Sequence, residues 1–434
     1  MSRAMPKCSI IFRIGGRVRD IYKAYIGYLQ NHADEMLSRD VIFELPYKLL
    51  REINAPEDLR ERGAFFSGDA VFSQMIKNVS VSKQCIYDPA AGCGDLLLRY
   101  LEHLPAEASL GVGLKEWGRL VFAAEKEKKF VQLLKLRLWL LLYFKIKGGV
   151  RLGCIPIPRL EGLFPGVRCG DGLTAVGARG ALILMNPPYQ QVVARKSYSW
   201  CAGKVSLAAI FMYEVLTQNP QSRVLAVLPD VLRSGSRYSK WRSLLAGKVD
   251  SRVKIFGRFD GKTDVDVFTI DYDPKRVVRG RKRKISESRN CSCIKDVFDV
   301  HVGAVVLHRD KRKGKKCVFL KADNLPAGMT LDVVDQEIAS MHAPVRGPFV
   351  VIRRTSSPSD RVRCISSVVM SSNEFHLDNH LIYLKPKCAK TAKEACARLH
   401  CYFQSEECTA VVNRLIRCRH LTVSIISNLP YERR

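Results

Sequence analysis

The sequence lacks the paired cysteines that build a metal ribbon or a disulfide framework. Its 15 cysteines are scattered over 434 residues, and nowhere do two stand as Cys-x-x-Cys. The tightest pair, Cys291-Ser292-Cys293, has no second pair at zinc-ribbon spacing, and Cys418-Arg419-His420 is equally isolated. No structural metal is expected. Most cysteines read as reduced, small core residues of a cytosolic protein. A long apolar run is missing too. The most apolar window, Phe130 to Phe144, is interrupted by Lys135 and Arg137 and is too short to span a bilayer. Residues 1–20 alternate apolar residues with Arg and Gly and lack the sustained apolar stretch of a secretion signal. These absences predict a soluble, cytoplasmic protein with no membrane partner. Acidic residues are scarce: 42 Asp and Glu face 71 Lys and Arg, a formal charge of +29. Such an excess points to a polyanionic partner, nucleic acid first, with an ordinary basic surface as the plain alternative.

What is present argues for a globular chain. Apolar residues make up 47% and aromatics 9%, and the length allows two or three domains with buried cores. Residues 16–60 read as helical, with Ile21, Tyr25, Ile26 and Leu29, then Leu45, Leu49 and Leu50, at helix spacing. Gly63-Ala64-Phe65-Phe66-Ser67-Gly68-Asp69 then leads into a helical pattern through Val71, Met75 and Ile76. Ser67 or Asp69 can cap that helix.

Four strand ends follow, each with a polar residue. Cys85-Ile86-Tyr87 runs into Asp88-Pro89-Ala90-Ala91-Gly92-Cys93-Gly94-Asp95 and then the apolar Leu96 to Leu98. Strand, glycine-bearing turn and helix is the layout of a nucleotide-type site in a doubly wound sheet. The turn holds no Lys or Arg, while Asp88 and Asp95 are acidic, which suits a cation or an amine better than a pyrophosphate. The next strand, Leu120 to Ala124, ends in Glu125, where such folds hold ribose hydroxyls; the charged run that follows also fits a solvated turn. Val167 to Leu173 reads as a strand end bearing Asp171. An apolar run, Ala181 to Met185, then delivers Asn186-Pro187-Pro188-Tyr189, a turn stiffened by two prolines. By itself that turn also fits a sharp strand-end turn with no chemistry. Asp88, Glu125, Asp171 and Asn186 nevertheless all fall at carboxyl ends of expected strands, the edge where open α/β sheets bind ligands.

With these residues assembled, the chain resembles the S-adenosyl-L-methionine-dependent N6-adenine DNA methyltransferases of the gamma arrangement, over roughly residues 60–272. Asp88-Pro89-Ala90-Ala91-Gly92-Cys93-Gly94 resembles the family's first cofactor motif, with Cys93 in place of the usual serine. Asn186-Pro187-Pro188-Tyr189 matches its catalytic motif in full. Gly63 to Ser67 resembles the motif before the first strand, with Ser67-Gly68 in place of Thr-Pro. The resemblance implies an α/β class I methyltransferase fold: a doubly wound, mostly parallel, Rossmann-like sheet with N-terminal helices and a C-terminal α+β target-recognition domain. It implies boundaries at 1–60, 61–273 and 274–434. Phe65, Ser67, Asp88, Ala90, Gly92, Gly94, Glu125, Asp171 and Asn186 would hold the cofactor. Asn186, Pro187, Pro188 and Tyr189 would carry catalysis, with Phe259 the opposite wall of the base pocket. Lys204 to Phe211 resembles the family's helix after the catalytic loop, and Val224 to Pro229 its next central strand. The implied partners are double-stranded DNA and a cognate restriction nuclease. Cytosine-C5 chemistry needs a nucleophilic cysteine after proline, and none of the 19 prolines is followed by Cys. Protein-glutamine, RNA base-amine and cytosine-N4 methylation use the same amine chemistry and stay open.

After Pro274 the composition changes. Seven of the eleven residues from Pro274 to Lys284 are Lys or Arg, and a second basic cluster runs from Arg309 to Lys316. Strand-like stretches appear at Phe298 to Leu307, Phe349 to Ile352 before Arg353-Arg354, and Asn379 to Leu384. The Lys and Arg of this third are expected to contact phosphates, and His380 and His420 read as structural histidines.

Overall fold

A computed structural model describes residues 20–54, 68–174, 179–194, 197–246, 252–258, 265–276, 292–310, 313–325, 330–331 and 336–431. Phe65, Ser67, Phe259 and the basic run after Arg276 lie outside the described residues. The chain divides into two compact units. One comprises Met1–Ala194, Gly203–Leu228 and Thr269–Lys275; the other comprises Arg195–Ala202, Pro229–Phe268 and Arg276–Arg434.

The first unit begins with the helices α1 (Ile21–Asn31), α2 (Arg39–Phe43), α3 (Leu45–Ile53) and α4 (Asp69–Ile76). Asp20 and Ser38 cap α1 and α2 by accepting from the N–H groups of Lys23 and Val41. Gly68 occupies the cap position of α4, with no side-chain cap bond. Asp69 sits in the first turn of α4 and is ion-paired with Arg39 (2.6 Å) and with the buried Arg99. The two guanidiniums also lie 4.7 and 4.9 Å from the Phe43 ring, which ties α2 to α4 and to the helix bearing Arg99.

Next come β1 (Ile86–Asp88), α5 (Asp95–Glu102), α6 (Leu110–Leu120), β2 (Val121–Glu125), α7 (Lys128–Lys147), β3 (Val167–Cys169) and β4 (Leu182–Met185). A short antiparallel hairpin, β5 (Gln191–Val193) with β6 (Lys204–Ser206), precedes α8 (Leu207–Gln218) and β7 (Val224–Pro229). The helix after the proline turn therefore starts at Leu207, because Lys204–Ser206 is spent on the hairpin. With β8 (Arg252–Arg258) and β9 (Asp266–Tyr272) the strands form a sheet of order β3-β2-β1-β4-β7-β9-β8. The pairs β2/β3, β1/β2, β1/β4 and β4/β7 are parallel. Every residue of β1, β4 and β7 is buried, as expected of interior parallel strands covered on both faces. The chain runs outward from β1 through β2 to β3, then returns to place β4 on the other side of β1. The order therefore reverses between β1 and β4, where Asp88 ends β1 and Asn186 follows β4.

The second unit contains α9 (Asp230–Ser234), α10 (Ser239–Ala246) and α11 (Ile294–Val297), then β10 (Phe298–Val302), β11 (Lys315–Leu320), β12 (Thr330–Leu331), β13 (Glu337–Ser340), β14 (Val345–Arg346), β15 (Phe349–Arg353), β16 (Ser366–Val369), β17 (Glu374–Leu377) and β18 (Leu381–Pro386). It closes with α12 (Ala392–Gln404), α13 (Glu406–Leu415) and α14 (Val423–Ser427). The strands make a five-stranded sheet, β10-β18-β15-β16-β12, and a four-stranded one, β13-β11-β17-β14. Val350, Ile352, Ile382 and Leu384 bury one face of the larger sheet against Leu399, Phe403 and Val412 of the helices. Part of the second basic cluster is used within the fold: Lys315 pairs with Glu374, and Lys316 with Glu337 at 2.9 Å. No described helix is long and apolar enough to cross a membrane.

Candidate active site

Asp88 closes β1 with its side chain buried, and its Oδ1 accepts from the Ala90 N–H at 2.9 Å. Burial pushes its carboxyl up to about 8; Glu125 and Asp95 add to the rise, and the Ala90 N–H opposes it. The turn then uses two glycines at positive φ, Gly92 (51°) and Gly94 (87°). They differ in what surrounds them. A Cβ on Gly94 would overlap Leu134 of α7, so this glycine permits close packing, whereas a Cβ on Gly92 would meet nothing within 4 Å. Space therefore opens in front of Gly92, beside a buried carboxylate.

Glu125 closes β2 and faces the same turn. Its Oε2 accepts from the Gly92 N–H at 2.9 Å and its Oε1 from the Glu127 N–H at 2.8 Å, and burial raises its pKa. Backbone N–H groups, that of Lys126 among them, thus hold the carboxyl group against the turn. Asp171 follows β3, with Oδ1 accepting from the Leu173 N–H (3.0 Å) and Oδ2 lying 3.1 Å from Lys126 Nζ. Gly172 presses this turn onto the first one: a Cβ there would run into the Pro89 carbonyl. The three carboxylates thus stand at the ends of adjacent strands, on backbone turns that touch one another.

Asn186 follows the fully buried β4. Pro187 is buried, while Asn186, Pro188 and Tyr189 are half-buried. The Tyr189 hydroxyl donates to Asn186 Oδ1 at 2.7 Å, and burial holds the phenol well above its ordinary pKa, so it keeps the proton that it donates. A hydroxyl fixed on Oδ1 sets which way the Asn186 amide points. Asp88, Ala90, Gly92, Gly94, Glu125, Asp171 and Asn186 through Tyr189 accordingly lie along one edge of the sheet.

One residue of this edge escapes a reading of the sequence. Arg137 sits in the middle of α7, among leucines, fully buried. It forms an ion pair with Asp95 at 2.7 Å and donates to the carbonyls of Cys93 (2.6 Å) and Ile42 (2.8 Å). A single guanidinium thereby holds the end of the glycine turn, the first residue of α5 and helix α2. The only trace in the sequence is a charged residue interrupting an apolar helix.

No protein-family model matches the sequence, and no curated protein does. Solved structures do match. The type IIL restriction-modification enzyme MmeI, in complex with DNA, is 14% identical over 89% of this chain and 71% of that one, with a TM-score of 0.57. The type IIG restriction endonuclease BpuSI is 12% identical, covering 90% of this chain and 60% of that one, at a TM-score of 0.42. The M protein of the type I restriction enzyme EcoKI is 16% identical, covering 59% and 56%, at 0.34. The chain spans less than two thirds of these last two. At such identities the likeness is one of fold alone: a doubly wound, mostly parallel seven-stranded sheet flanked by helices, with additional sheets in the C-terminal region.

Proposed function

We propose that the protein is a site-specific DNA methyltransferase that uses S-adenosyl-L-methionine to methylate N6 of a flipped-out adenine, as the modification component of a restriction-modification or defence system. The observation that carries this reading is the placement of Asn186-Pro187-Pro188-Tyr189 beside the Asp88 turn, at the point where the strand order reverses. The residues present suit the cofactor. The edge offers three carboxyl groups (Asp88 buried, Glu125 and Asp171 half-buried), backbone N–H groups and open space at Gly92, and the described hydrogen bonds of Asp88 and Glu125 come from backbone amides. That donor set favours a cationic ligand carrying ribose hydroxyls. Asp88, Ala90, Gly92 and Gly94 would seat it, Glu125 would take the hydroxyls and Asp171 an amine. When bound, S-adenosyl-L-methionine supplies an electrophilic methyl group.

The protein's own task is to prepare the amine. The exocyclic nitrogen of adenine is a poor nucleophile because its lone pair is delocalised into the ring. Asn186 Oδ1 and the Pro187 carbonyl can accept its two N–H hydrogens, favouring a more tetrahedral nitrogen and stabilising the positive charge that develops on it. Tyr189 stacks on the base. A base in a duplex must leave the stack at a cost of about a few kcal/mol, and stacking worth roughly 1–3 kcal/mol offsets much of it. The surplus of 29 positive charges suits a long polyanion.

The test is incubation with labelled S-adenosyl-L-methionine and duplex DNA, RNA or release-factor protein, followed by identification of the methylated atom. Transfer to adenine N6 of DNA is expected. Transfer to protein or RNA and not to DNA would overturn the reading. Asn186→Ala should abolish transfer while leaving cofactor binding largely intact, checked by calorimetry; loss of both would refute the role given to Asn186.

A further inference from the structure

Between β4 and α8 the chain makes a detour. Tyr189 leads almost at once into the hairpin of β5 and β6, in which Gln191 lies opposite Ser206, Val192 opposite Val205 and Val193 opposite Lys204. This ribbon pairs with no other described strand. Its base is fixed, because Leu207, the first residue of α8, donates its N–H to the Gln190 carbonyl at 2.9 Å. The hairpin joins the end of a parallel strand to the helix that returns from it. It therefore stands on the carboxyl edge of the sheet, the edge that carries Asp88 and Asn186. Val193 is four residues beyond Tyr189, so their Cα atoms are at most about 14 Å apart.

Side chains alternate across a strand, so the two faces of the ribbon differ. One face carries Val192 and Val205; Val205 is fully buried and Val192 half-buried, so this face packs on the protein. The other carries Gln191, Val193 and Lys204, all exposed; Ser206, the cap residue of α8, is the one buried member of that face. A solvent-facing strand surface is ordinarily polar. Val193 breaks that rule: it is 69% exposed, more than any other large apolar side chain described in the first unit. The side chains of Gln191 and Lys204 have no hydrogen-bond or ion-pair partner among the described residues. A base that leaves a duplex opens a gap between apolar ring faces, strands its partner base without a mate, and leaves charged phosphates at the rim. An aliphatic side chain, an amide that both gives and accepts, and an ammonium group on one face of a ribbon meet these three needs in turn.

Resting on the flipped-base reading above, we propose that this hairpin is a finger that takes the place of the extruded base in the duplex: Val193 enters the stack, Gln191 meets the stranded partner base and Lys204 a phosphate. The probes are two labelled duplexes of one sequence, one intact and one with an abasic residue opposite a thymine, which offers the gap with no base to extrude. Binding is measured with full-length wild type, Val193→Ala, Val193→Leu, Gln191→Ala and Lys204→Ala, with thermal melts to confirm folding. The same preparations are assayed for labelled methyl transfer to genomic DNA. Wild type should favour the abasic duplex by about five- to tenfold, a part of what stacking one base contributes. Val193→Ala should cut that preference to about twofold or less, while Val193→Leu, which keeps an apolar wedge, should retain it. Gln191→Ala should lower it in part, and Lys204→Ala should weaken both duplexes alike and flatten the salt dependence. A wild type without the preference overturns the proposal, and so does a preference untouched by Val193→Ala. If the preference depends on Val193 while no preparation transfers methyl groups, the finger stands and the methyltransferase reading falls. Methyl transfer to DNA by a wild type that lacks the preference does the reverse.

Discussion

Replacing Arg137 by Met tests whether a buried cation in α7 shapes the candidate cofactor turn. Met preserves length and apolar packing but removes the charge. The Asp95 carboxyl is left buried without its partner, and the carbonyls of Cys93 and Ile42 lose theirs. Removing one member of a buried pair costs about 3–5 kcal/mol, a large share of the roughly 5–15 kcal/mol that holds a domain folded. The cost should fall on the glycine turn first, since Cys93 O and the first residue of α5 are the anchored groups. Arg137→Met is therefore expected to lower the denaturant midpoint strongly. Calorimetry at a temperature where the variant is folded should show cofactor affinity reduced by about tenfold or more, equivalent to roughly 1.4 kcal/mol. Asp95→Asn should be harmful alone, and the double variant should fall short of the sum of the single effects by about 1–3 kcal/mol, because the two side chains share one interaction. Full cofactor affinity in a destabilised Arg137→Met protein would refute the claim that this guanidinium holds the turn. An unchanged midpoint would refute the pairing itself.

Two further outcomes follow from the same edge. Asp88 titrates near 8 in the fold, against an ordinary carboxyl value of about 3.9, so between these values the folded state holds a proton that the unfolded chain has lost. Its contribution to stability should thus fall as pH rises from about 4 to about 8 and level off above, and Asp88→Asn should remove that slope in melts across the range; identical slopes in both proteins would contradict it. At the Asn186-Pro187-Pro188-Tyr189 turn, Tyr189→Phe keeps the ring and loses the bond to Asn186, worth about 0.5–1.5 kcal/mol, so on the proposed function single-turnover transfer should slow about two- to tenfold with DNA affinity kept. Tyr189→Ala should also weaken DNA binding, and a Phe variant as fast as wild type would strip the hydroxyl of any role.

The mostly parallel sheet was legible because its signals are local. Buried parallel strands read as short apolar runs, and glycine or proline turns mark their ends, so β1, β2 and β4 fall within a residue of where those runs put them, and β7 where the family resemblance put it. Side chains that act across the fold have no such signature. Arg137 looks like an interruption of an apolar helix, and its partners lie 42 positions away at Asp95 and 95 at Ile42. Gly172 resembles any turn glycine until the Pro89 carbonyl is found where its Cβ would be. The hydroxyl of Tyr189 reads as part of an aromatic wall, yet it is bonded to the amide three residues before it.

The C-terminal third shows most sharply why charge in a sequence does not reveal its use. Arg353, Arg354 and Arg363 look like phosphate ligands when counted toward the positive surplus. Backbone carbonyls from distant segments absorb them instead, and Lys315 and Lys316 are matched by Glu374 and Glu337 across the sheet. A guanidinium has five donors and no acceptor, so wherever irregular chain segments meet with unpaired carbonyls it is the side chain best able to join them. Each arginine spent in this way is withdrawn from the phosphates and gives rigidity to the residues beside it.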